Sequence, residues 1–166
     1  MSQVQKAMGD IYRLTDEIVT LAESIPEEEL RWKPADDAWS VMEVLCHVEE
    51  ITPYWLREIQ AVVQAPGSEW GRNHLHEGRL AAVAKADQRS LSDIREGILD
   101  TKKEVERILG SMTEEDLAIE SPSKNPRWGT KPMSFVVDHL LVEHLDTHLG
   151  QIKRIREQYS ALKEKR

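Results

Sequence analysis

Cysteine is almost missing from this chain. The single copy, Cys46, excludes an intramolecular disulfide framework and fits a reducing compartment. No segment approaches the roughly 20 consecutive apolar residues that a membrane-spanning helix needs. The first residues lack an apolar stretch followed by a small-residue cleavage site, so no signal peptide is expected. There is no Gly-rich phosphate loop, no Cys-x-x-Cys pair and no Gly-x-Ser-x-Gly elbow, and the chemistries those motifs serve are not expected. Basic charge is also short. Lys and Arg number 22 against 30 Asp and Glu, for a formal charge of -8. Such a chain repels phosphate backbones, so nucleic acid is not an expected partner. The locally basic stretch from Lys153 to Arg166 reads as cations complementing a helix C-terminus. A soluble cytoplasmic protein without a membrane partner is the expectation.

What is present is helical periodicity. The 166 residues suit one domain, residues 1–166, large enough to bury a core without covalent staples. Four segments repeat apolar residues at steps of three and four. The first carries Val4, Ala7, Ile11, Leu14, Ile18, Leu21 and Ile25. The second carries Val41, Val44, Val48, Ile51 and Trp55. The third carries Leu91, Ile94, Ile98, Val105 and Ile108. The fourth carries Leu141, Leu145, Ile152, Ile155, Tyr159 and Leu162. Pro26 and Pro34, then Pro66 and Gly67, then Pro122 and Pro126, fall between them. No long alternating strand pattern appears. The chain reads as all-α, a four-helix bundle with long connections.

Local signals sharpen the boundaries. Ser40 with Glu43 three residues later is a capping box opening the second helix. Thr130 is the expected cap of the fourth, with Pro132 in its first turn. Pro53 stands inside the second stripe and removes the bond to the Glu49 carbonyl. A kink is expected there, shaping a cavity mouth just over a turn beyond His47.

The histidines carry the chemical signal. His148 fills the one missing place in the fourth apolar series, and His144 lies one turn before it. Their Cβ atoms should sit about 5–6 Å apart on one helix face, a spacing at which two imidazoles reach one metal ion. His47 lies on the second helix beside Val44, Val48 and Ile51 and is the best third donor. Three neutral imidazoles leave coordination positions for water or substrate. Zn²⁺ or Ni²⁺ suits such ligands best, with iron and manganese acceptable. On spacing alone, hydrogen-bonded core histidines explain the pattern equally well. His139 is expected to pack locally, and His74 and His76 to lie in a solvated or site-covering loop.

The stretch "WSVMEVLCHVEE", followed far downstream by "EHLDTHLGQI", resembles the DinB-like (DinB/YfiT) superfamily of bacterial four-helix-bundle proteins. The resemblance covers nearly the whole chain. It implies a divalent metal held by three histidines, mapping here onto His47, His144 and His148. Many relatives carry a further histidine immediately before the last ligand, where this chain has Thr147. Characterised relatives include transferases using low-molecular-weight thiols, such as bacillithiol and mycothiol enzymes, and a thiol-dependent maleylpyruvate isomerase. Others are described only as metal-dependent hydrolases, and many have no known activity. The resemblance therefore implies a small-molecule substrate, with a thiol as one candidate. A thiol S-transferase type of enzyme, a hydrolase and a non-catalytic protein with a structural metal all remain open.

Other residues read more plainly. Cys46 points about 100° away from His47 around the helix and is expected to be a buried, inert thiol. Glu49, Glu50, Glu143 and Asp146 are near enough along their helices to orient a ligand or act as a base, although most such acids are solvated. Gln151, one turn beyond His148, is placed to hydrogen-bond a ligand. Trp39, Trp55 and Trp128 read as core or interface anchors. Trp32, Trp55 and Trp70 lie off the apolar stripes or at their ends. One bundle core does not obviously accommodate all three, and the resemblance also implies a dimer, since relatives in that superfamily are often dimers, so an isologous homodimer is expected.

Overall fold

The computed structural model describes residues 1–72 and 77–165. Long helices form where the periodicity places them: α1 (Gln3–Glu23), α3 (Val41–Gln64), α5 (Leu91–Leu109) and α8 (Glu143–Glu164). α1 opens on a capping box made by Ser2 and Gln5. α3 opens on the one expected from Ser40 and Glu43: the Glu43 N–H donates to Ser40 Oγ at 3.2 Å, and the Ser40 N–H donates to Glu43 Oε1 at 2.9 Å. Ser90 caps α5 by accepting from the Asp93 N–H. These side chains satisfy donors that a helix start leaves open.

The four long helices share one core. Ile11, Leu14 and Ile18 from α1 meet Val44, Leu45 and Val48 from α3, Ile94, Ile98 and Val105 from α5, and Leu145, Ile152 and Ile155 from α8. The closest pairings are α1 with α5, α1 with α8, α3 with α5, and α3 with α8. Consecutive long helices α1 and α3 therefore occupy opposite corners. That arrangement needs a long link, and the connections supply it.

The connections hold short elements that periodicity does not reveal. They are α2 (Glu27–Arg31), α4 (Glu77–Ala84), a 3-10 turn (Ala86–Gln88), α6 (Glu114–Leu117) and a two-stranded antiparallel sheet. The sheet pairs β1 (Glu120–Pro122) with β2 (Thr130–Pro132). Two expectations change here. Thr130 is a strand residue rather than a helix cap, and Pro132 precedes the helix instead of sitting in its first turn, because the chain stays extended through Pro132 and turns helical at Met133 in α7 (Met133–Phe135). Pro53 does not end its helix: α3 runs unbroken from Val41 to Gln64.

Between α7 and α8 the chain passes through seven residues of π-helix, Val136–Val142. A π turn admits an extra residue without ending the helix and re-aims everything that follows. His144 lies just beyond it.

The tryptophans fit within the chain. Trp55 and Trp70 are buried, at 5% and 1% exposure. Trp70 donates its indole N–H to the Ser121 carbonyl at 2.8 Å, docking the connection after α3 onto β1. Trp32 packs edge-on against Tyr159, with ring centroids 5.3 Å apart. The crowding that suggested a homodimer is thus relieved inside one chain. Among the described residues no helix is long and apolar enough to cross a membrane.

Candidate metal centre

His47 on α3 and His144 and His148 on α8 come together. One nitrogen from each lies within 4.8 Å of the others. The rings of His144 and His148 stack at 4.4 Å, and His47 meets them at 5.5 and 4.8 Å. His47 and His148 are buried and His144 is half-buried. Local sequence explains each placement. His47 continues the Val44–Val48–Ile51 face that packs toward α8. His148 takes an apolar position on α8, and the i, i+4 step brings His144 onto the same face.

The donor set suits an ion. Imidazole nitrogens are common ligands for divalent first-row metals, and no carboxylate belongs to this cluster among the described residues. The second nitrogen of His148 is committed: Nδ1 lies 2.9 Å from Gln151 Oε1. A carboxamide oxygen only accepts, so the proton sits on Nδ1 and Nε2 keeps its lone pair. Ligating histidines are held this way by an acceptor behind them. Trp39 packs on the His47 ring at 5.3 Å.

Three of the four acids that sequence reasoning weighed are engaged elsewhere. Glu49 pairs with Arg89 through two bonds of 2.6 and 2.9 Å. Glu50 pairs with Arg72 at 2.5 and 2.6 Å. Glu143 meets His139 Nδ1 at 2.7 Å, and Asp146 is exposed. His139 packs locally as expected, stacked on Phe135 and edge-on to Trp128. Burial pushes the Cys46 thiol up to about 11, in keeping with an inert sulfur. His74 and His76 lie outside the described residues.

A cleft of about 510 Å³ opens beside His148. One wall is the connection entering α3, with Pro34, Asp37, Ala38 and Trp39. The other is α8, with Gln151, Arg154, Ile155 and Gln158. Pro53 does not line it; the wall on the α3 side is the segment that enters that helix. Sequence reasoning passed over Asp37, Arg154 and Gln158. The spacing of Gln151, Arg154, Ile155 and Gln158 behind His148 is helical, and that was the available signal.

The second and last long helices of a four-helix bundle thus bring together three histidines that could hold a metal ion, and one of them, His148, lines a cleft. Residues 10–152 match the family model of the DinB superfamily, and the chain belongs to that superfamily. Among solved structures, the chain is similar to YfiT from Bacillus subtilis, described as a probable metal-dependent hydrolase with an unusual four-helix bundle topology. The TM-score is 0.80 at 12% identity, over 96% of this chain and 90% of that one. It is also similar to a mycothiol-dependent maleylpyruvate isomerase, with a TM-score of 0.69 at 12% identity. That match covers 90% of this chain and 60% of the isomerase. At such identities the likeness is one of fold. Comparison with curated protein sequences gives no match.

Proposed function

We propose that residues 1–166 work as one cytoplasmic domain that binds a divalent metal through His47, His144 and His148 and uses it on a small molecule. The favoured reaction type is transfer involving a low-molecular-weight thiol. The observation that carries the proposal is the meeting of the three imidazoles within 4.8 Å, one of which, His148, lines a cleft. Zinc or nickel suits the ligands best, and iron or manganese is acceptable. A divalent ion held there would lower the pKa of a coordinated thiol or water and polarise a carbonyl.

The chain's own residues set the conditions for that chemistry. Gln151 holds the Nδ1 proton of His148 and leaves Nε2 as the ligating nitrogen. Trp39 and Ile155 give the cleft an apolar lining that excludes water from part of it. Arg154 and the two glutamines supply polar groups that orient a ligand.

The neighbouring isomerase is mycothiol-dependent, which supports the thiol reading. YfiT is described as a probable hydrolase, which supports water as the alternative nucleophile. Elemental analysis of protein purified without added metal, repeated on His148→Ala, tests the site. Equal metal content in both would overturn the triad. Assays with thiols and electrophiles, set against ester and amide panels, then separate the reactions. Turnover independent of thiol selects the hydrolase. No turnover in either panel, with a chelator lowering the melting temperature, selects a structural metal.

A further inference from the structure

The cleft beside His148 carries two charges of opposite sign. Asp37 lies on the wall that enters α3, and Arg154 lies on α8. Among the described residues neither forms an ion pair or a side-chain hydrogen bond, not even with the other. Elsewhere Glu49, Glu50 and Glu29 are each engaged by an arginine. Gln151 and Gln158 share the cleft and offer both donors and acceptors. Pro34, Trp39 and Ile155 supply low-dielectric walls, which concentrate the fields of the two charges. The volume, about 510 Å³, falls within the range of small-molecule sites. Two other clefts of about 510 and 500 Å³ touch α8, but no histidine lines them.

We infer that this cleft takes a small zwitterion of α-amino-acid type, with its carboxylate on Arg154, its ammonium on Asp37 and its side chain directed toward the histidines. A guanidinium presents a fork that matches a carboxylate. Asp37 accepts from an ammonium, and the glutamine amides bridge the space between. The inference rests on the reading that the triad serves small-molecule chemistry, and it adds the substrate class. A ligand pinned at two charged ends brings its third substituent to His148 in a fixed direction, which is the orientation a reaction at that point requires.

The probes are S-methyl-L-cysteine, 2-(methylthio)ethylamine, which lacks the carboxylate, and 3-(methylthio)propionate, which lacks the amine. Each is titrated into the full chain while NMR follows the Trp39 indole N–H and the side-chain amides of Gln151 and Gln158. The zwitterion should bind about fivefold more tightly than either truncated probe, the scale of one partly exposed ion pair. Arg154→Gln should abolish its advantage over the amine, and Asp37→Asn its advantage over the propionate. Both positions are exposed, so both variants should fold. Equal affinities for the three probes, or a preference that survives both variants, would overturn the inference. These probes carry a thioether, so the outcome is independent of thiol activation. A zwitterion preference without thiol turnover would remove the transfer reading alone. Thiol turnover without the preference would remove this inference alone.

Discussion

Replacing Gln151 by Leu isolates the part that one hydrogen bond plays at the histidine cluster. Gln151 Oε1 accepts from His148 Nδ1 at 2.9 Å. Leucine keeps the volume and removes the acceptor. The Nδ1–H is then left in a buried ring without that partner, a cost of about 1–3 kcal/mol. The alternative is for the proton to move to Nε2, which can then no longer ligate. Loss of such a partner behind a ligating histidine typically weakens metal binding about 10–100-fold, or roughly 1.4–2.7 kcal/mol. Gln151 is half-buried and lines the cleft, so water replaces it in part and the lower end applies. We expect Gln151→Leu to bind zinc about tenfold more weakly, measured by competition with a chromogenic chelator at fixed pH. Gln151→Glu supplies a stronger acceptor and should bind more tightly than the native chain. An unchanged affinity in Gln151→Leu, or equal losses in both variants, would refute the idea that this bond fixes the ligating nitrogen.

Gly97 lies where a Cβ would overlap the Glu49 carboxylate, so Gly97→Ala should displace Glu49 from Arg89. The helix gains about 1 kcal/mol from alanine, while loss of the two charged bonds costs about 2–3 kcal/mol. Urea unfolding should show net destabilisation, reversed to a gain in a Glu49→Ala background; destabilisation in both backgrounds would refute it. The Tyr54 phenol is raised above its ordinary value of 10.0, first by burial and then by Glu58. A raised folded pKa gives stability that is fully present below pH 10 and lost as pH climbs through the folded value. Tyr54→Phe should therefore lose less stability than the native chain between pH 10 and 12, and equal losses would refute the assignment. Homodimerisation now rests on the family resemblance alone. Light scattering at micromolar concentration should give twice the chain mass of 19.1 kDa, and a mass of one chain that persists on concentrating would refute it.

The long helices and the histidine triad were legible in the chain because both depend on local spacing. An apolar stripe at steps of three and four is already a buried face. The position where His148 interrupts that stripe marks a polar group facing inward, and the i, i+4 step brings His144 beside it. His47 could be chosen for the same reason, since Val44, Val48 and Ile51 fix which way its turn of α3 faces. Capping at Ser40 is equally local. Other features needed three dimensions. The diagonal placement of α1 and α3 depends on how four seams share one core, and each seam taken alone is compatible with several neighbours. The π segment before His144 follows from packing, since pairs such as Val136–Val137 and Leu140–Leu141 satisfy more than one helical register. Trp55 and Trp70 looked surplus until the connection after α3 folded back and gave Trp70 a partner in Ser121. The cleft is of the same kind. Asp37 and Arg154 stand far apart in the chain, and nothing in either neighbourhood names the other. Periodicity determines which way a residue faces along its own helix. Only the path of the chain through space decides what stands opposite, and that is why the triad was readable here while the wall in front of it was not.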